Sequence, residues 1–156
     1  MYGLRSGMVL EQLASLLGAW NRSARMELGR LALEIEAGGA PVLHEFGGQT
    51  YLGPLALGMS PGEVWARAVD DLVAASAHGA DLIAAEVGPH TDVVLSGGWS
   101  RNPAVAAAKR RQFAGARTSE LGEAGAVGAA YLAAVAAGIA EQTHDLIPLI
   151  PHGEER

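Results

Sequence analysis

Apolar positions recur along this chain in two rhythms, and the changes of rhythm divide it into elements. Over residues 6–20, Met8, Val9, Leu13, Leu16, Leu17 and Trp20 fall at helical spacing with Glu11 and Gln12 between them. This spacing predicts an amphipathic helix that Ser6 could cap. A second helix is expected from Asn21 or Ser23 through Ile35, carrying Met26, Leu28, Leu31, Leu33 and Ile35, with Gly38-Gly39 as its stop. Residues 41–46 and 50–57 are short apolar segments around Gly47-Gly48 and Gly53-Pro54, which predict two brief strands or one hairpin. Ser60-Pro61-Gly62-Glu63 places proline at a first helical position and glutamate at the third, the spacing of a capping box. The helix that follows is expected to reach about Glu86, with Trp65, Ala68, Val69, Leu72, Val73 and Ala75 inward and Gly79 as a possible break.

The rhythm changes again at residues 91–102. Val93, Val94 and Leu95 form an unalternating run, as in a strand covered on both faces. Gly97 and Gly98 then remove side chains that would block a flat ring or a sugar, and Asn102-Pro103 opens a helix with a capping side chain and proline. The segment therefore reads as a nucleotide-side site at the carboxyl end of a strand. Beyond it, a helix over 103–113, a short strand over 116–121 and a helix over 123–139 are expected. The last is almost entirely Ala, Val, Leu and Gly, so it is expected to be buried. Alternating helices and strands give an α/β domain with right-handed crossovers over residues 1–140. Residues 141–156, with two prolines and terminal charges, are expected to be an extended tail.

Composition narrows the chemistry. A length of 156 residues fits one core, and 49% hydrophobic against 18% charged residues argues against disorder. The net charge of −6 argues against nonspecific nucleic-acid binding, which needs clustered cations; the Lys109-Arg110-Arg111 run reads as a solvated helix end. With no cysteine, disulfides, thiolate zinc sites and cysteine nucleophiles are excluded. No stretch of about 20 apolar residues and no leader pattern is seen, so a cytoplasmic location without membrane contact is expected. There is no Gly-x-x-x-x-Gly-Lys-[Ser/Thr] loop, and the five histidines show no metal-ligand spacing on one helix. Asp70-Asp71 suggests a metal pair and His44-Glu45 acid–base chemistry only weakly, since adjacent helical residues point in different directions.

Two segments carry a family resemblance. Residues 93–103, Val-Val-Leu-Ser-Gly-Gly-Trp-Ser-Arg-Asn-Pro, and residues 120–134, which run from Glu120-Leu121-Gly122-Glu123 into Ala-Gly-Ala-Val-Gly-Ala-Ala-Tyr-Leu-Ala-Ala, resemble in sequence order the C-terminal lobe of the FGGY carbohydrate kinases. The helix begun at Ser60, preceded by Leu52-Gly53-Pro54-Leu55, resembles the long helix that this lobe places before its glycine motif.

The resemblance implies a lobe of the ribonuclease-H-like, actin-like ATPase fold, with a short mixed sheet flanked by helices and lacking its first strands. It implies an ATP-dependent carbohydrate kinase, in which ATP with its Mg²⁺ lies between two lobes and its terminal phosphoryl group passes to a sugar or polyol hydroxyl. Carried over residue by residue, Gly98 and Asn102 match the family's adenosine contacts, Gly97 belongs to the same glycine motif, and Gly7 and Glu11 match the opposite wall. Glu11 stands where related kinases often carry glutamine. Trp99 could cover the purine or be a packing residue, and Gly122, Gly125 and Gly128 could serve close helix packing or phosphate contact. The family's catalytic aspartate belongs to an N-terminal lobe with no counterpart here, so this chain is expected to be inactive alone, as a fragment or a truncated paralogue. The rival expectation is a noncatalytic, oligomerising interaction module derived from such a lobe; homo-oligomers are expected in either case.

Overall fold

The computed structural model describes residues 6–36, 38–46, 48–121 and 123–149. It is a mixed α/β structure in which helices predominate and the sheets are small. Helix α1 is Ser6–Leu16, so Ser6 lies within the helix rather than capping it. Gly18, at φ +82°, ends it: the Ala19 N–H donates to the Ala14 carbonyl and the Gly18 N–H to that of Ser15, a Schellman closure. The closure comes before Trp20, and both Leu16 and Trp20 face outward while Leu10, Leu13 and Ala14 face the core.

Helix α2, Arg22–Ala32, is capped by Asn21, whose side chain accepts from the Ala24 N–H at 2.9 Å. It ends before the expected glycines, tightening into i→i−3 bonds through Ile35. Strands β1 (Leu43–Phe46) and β2 (Gln49–Leu52) form the antiparallel hairpin. Asp71 Oδ2 anchors its base, accepting from the Val42 and Leu43 N–H groups at 2.8 and 2.9 Å. Asp70 instead pairs with Arg111, so the two aspartates form no metal pair.

Helix α3, Pro61–Val87, begins with the complete capping box and continues through Gly79 for 27 residues. Its first half carries the core side chains, among them Trp65, Ala68 and Val73; in the second half Leu82, Ile83 and Val87 are exposed. Strand β3, Val94–Leu95, pairs in parallel with β4, Arg117–Thr118, across helix α4, Pro103–Gln112. Both strands are shorter than the sequence suggested, and only Leu95 is buried in β3, with Val94 exposed, so the strand is not covered on both faces.

Helices α1, α2, α3 and α4 enclose the core around Trp65, whose indole N–H has no hydrogen-bond partner. Helix α5, Ala124–Ala136, corrects the strongest expectation from composition: none of its residues is buried. Apolar composition states what a helix surface favours, and among the described residues its main neighbour is a single 3-10 helix, Thr143–Leu149. That 3-10 helix replaces the start of the expected extended tail, and Leu146 is buried in it. Gly122 and residues 150–156 lie outside the described residues.

Candidate functional site

The turn after β3 is built from local rules. Gly97 adopts φ +87°, a conformation costly for a residue with a Cβ, and turns the chain into a 3-10 helix over Gly98–Arg101. Ser100 Oγ donates to the Gly97 carbonyl at 2.7 Å, and the Asn102 N–H donates to the Trp99 carbonyl at 3.0 Å. Asn102 then caps α4 as the sequence predicts, accepting from the Ala104 and Val105 N–H groups at 3.2 and 3.4 Å. Its amide also donates to the Arg25 carbonyl at 2.8 Å, which ties the α4 start to α2.

Two hollows flank this turn. The first, a cleft of about 510 Å³, is lined by Gly7 and Leu10 of α1, Val69, Leu72 and Ser76 of α3, the turn from Leu95 to Ser100, and Val105 and Lys109 of α4. A Cβ added at Gly97 or Gly98 would meet nothing within 4 Å, so the bare main chain faces open space. The second, a shallower depression of about 310 Å³, is lined by Glu11, Arg22, Arg25, Met26, Gly98, Trp99, Arg101 and Asn102.

Trp99 is the wall between them. Its ring lies 5.5 Å from that of Trp65, tilted at 42°, and the Arg25 guanidinium carbon lies 5.7 Å from its centroid. Arg25 is fixed in turn by its Nε–H, which donates to the Ala19 carbonyl at 3.2 Å, and by an ion pair with Glu11. The six residues singled out in the sequence thus gather around one indole. Gly7, Gly97, Gly98 and Trp99 line the cleft, and Glu11 and Asn102 line the depression together with Gly98 and Trp99. Asn102 is only 2% exposed and its polar atoms are engaged, so its side chain shapes the site rather than facing it.

Sequence reasoning missed the cations. Lys109 stands one turn beyond Val105 on the same face of α4, and its ammonium lies 5.5 Å from the Phe113 ring centroid. Burial lowers its pKa from the ordinary 10.5. Its neighbours in the basic run go elsewhere: Arg110 donates to Thr118 Oγ1, and Arg111 to Asp70. The depression's arginines come from α2 and the turn, separated by more than seventy positions, so no local pattern in the sequence brings them together.

Chemically, the cleft offers apolar walls, serine hydroxyls, open glycine main chain and one ammonium. Among the described residues its lining includes no carboxylate and no histidine, and Lys109 is its one titratable group of basic character. Among the described residues no three His, Cys, Asp or Glu side chains are grouped to hold a metal ion, and no helix is long and apolar enough to cross a membrane. Compared with family models, curated proteins and solved structures, the chain matches none.

Proposed function

We propose that this chain is the nucleotide-binding lobe of an ATP-dependent sugar or polyol kinase, and that the glycine cleft receives the nucleoside. The observation that carries the reading is the open corner past Leu95, where Gly97 and Gly98 leave main chain uncovered in a cleft of about 510 Å³. That volume lies within the roughly 300–1,000 Å³ of small-molecule sites, and mostly apolar walls with a few polar groups suit a purine and ribose. Gly7 and Leu10 form one wall, Trp99 the other, and Asn102 holds α4 so that the turn keeps its shape.

ATP would supply the phosphoryl group, with Mg²⁺ arriving on the nucleotide, since the described residues group no three ligands for it. Phosphoryl transfer depends mainly on positioning and charge stabilisation. The residues of this lobe bind and orient, while the base that accepts the sugar's proton would come from an N-terminal lobe, as the family resemblance implies. The isolated chain is accordingly expected to bind ATP and consume none.

Calorimetric titration of the purified chain with ATP tests the site. Gly98→Val places its Cβ where no atom beyond the chain neighbours stands within 4 Å, so it should fold normally and bind ATP at least about tenfold more weakly. Undiminished binding would overturn the assignment.

The exposure of α5 favours a second reading, a noncatalytic module that associates through this helix. Leu132 and Ile139 are 66% and 75% exposed, and the α3 residues Leu82 and Ile83 are also uncovered. Apolar surface on this scale marks an interaction face. Failure to bind any nucleotide, combined with stable self-association, would favour this reading over the first.

A further inference from the structure

We propose that Lys109 anchors the anionic group of the ligand, so that a nucleotide lies along the glycine cleft with its base toward Trp99 and the phosphate nearest its ribose on the lysine ammonium. The inference rests on the nucleotide-binding reading and adds to it the seat of the first phosphate and the direction in which the ligand lies.

Charge is the first argument. Lys109 is the only lysine among the 11 basic residues of the sequence, and among the described residues it is the only charged side chain that lines the cleft. It is half-buried, and within the described chain no carboxylate pairs with it; the partner described for its ammonium is the Phe113 ring, which is neutral. The charges around it are already matched. Arg110 donates to Thr118 and Arg111 to Asp70, while Asp92, a carboxylate of the hollow next to the cleft, is held by Arg117 at 2.8 Å. A cation drawn out of water without a counter-ion carries a desolvation cost, which an anion arriving beside it offsets. That cost is visible in the ammonium itself, whose pKa burial lowers from the ordinary 10.5. Lysine presents a compact point charge with three donors on a flexible stem, a form suited to one phosphate in an apolar setting.

Position is the second. The cleft meets the depression at Gly98 and Trp99, and at Ser76, Val94, Leu95 and Lys109 it meets a further hollow of about 670 Å³. Trp99 and Lys109 therefore mark two different borders of one cleft, with an indole at the first to pack on a flat base and an ammonium at the second to meet a charged group.

The test compares adenosine with AMP by calorimetry on the whole chain at low ionic strength. The net charge of −6 opposes AMP, so a preference for it requires a local cation. AMP should bind about tenfold more tightly than adenosine. Lys109→Met, which keeps an apolar stem, should erase that preference and leave adenosine affinity unchanged. A second measurement uses the unaltered protein. Because the sequence has one lysine, trinitrobenzenesulfonate modifies one side-chain amine, which peptide mass spectrometry separates from the terminal amine. At equal occupancy AMP should slow that reaction more than adenosine does.

Equal affinities for adenosine and AMP would overturn the proposal and leave the nucleoside site intact. So would a preference for AMP that survives in a folded Lys109→Met variant, because the phosphate would then sit on another cation. If that variant failed to fold, equal protection of the lysine by the two ligands would overturn the proposal, and stronger protection by AMP would uphold it. Failure to bind either ligand would remove both readings.

Discussion

Asn102 shows how one side chain supports the site without facing it. It caps α4, donates to the Arg25 carbonyl, and fits against Gly29, where an added Cβ would lie 2.5 Å from its Oδ1. Asn102→Ala should therefore destabilise the fold by about 2 kcal/mol, from the lost cap and the lost bond to the Arg25 carbonyl, as read by urea unfolding. Gly29→Ala should destabilise through the clash, and the double variant should cost less than the sum, because removing the asparagine makes room. The two glycines of the turn should behave differently. Gly97→Ala should cost about 1–2 kcal/mol for its positive φ, whereas Gly98→Ala should keep the unfolding midpoint and weaken ATP binding. The cap at Asn102 was legible in the sequence because it is a neighbour effect. Its bond to Arg25, 77 positions away, was not, because only the packing of α2 on α4 creates it.

At the scale of elements, α3 was legible at both ends, since the span expected to about Glu86 is met by Pro61–Val87. Four adjacent residues specify the capping box, in which the Ser60 N–H donates to Glu63 Oε2 at 2.7 Å and the Ser60 hydroxyl accepts from the Glu63 N–H at 3.2 Å. The Ser60 backbone bond, and after it the hydroxyl, hold the Glu63 carboxyl below its ordinary value of 4.5. A depressed folded pKa contributes stability above the unfolded value, and that contribution is lost as pH falls through the folded one. Unfolding midpoints should accordingly decline from about pH 5 downward, and Glu63→Gln should flatten that slope. Gly79 did not break the helix because one glycine costs only about 1 kcal/mol relative to alanine. The strands were misjudged in length: β3 and β4 share two residue pairs, and an apolar run does not show how many partners a strand will find. For α5 the helix itself was foreseeable, but it ends at Ala136 rather than at the expected residue 139, closing where the Ile139 N–H donates to the Ala134 carbonyl. Its covering was not, because that depends on surfaces beyond the segment.

For the whole molecule, the uncovered apolar faces of α5 and of the second half of α3 predict association. Light scattering should show a dimer or larger assembly, and Leu132→Glu with Ile83→Glu should shift it toward monomer without lowering helix content, since both positions are exposed. A monodisperse monomer at high concentration would refute the expectation. Because Trp99 forms a wall of both hollows, arrival of a ligand on either side should disturb the same chromophore. Trp65 is fully enclosed and Trp20 projects into solvent, away from both linings. Replacing Trp20 with phenylalanine would leave an emission spectrum in which quenching or a colour change reports on the partition, so the molecule supplies its own optical gauge of which chamber fills first.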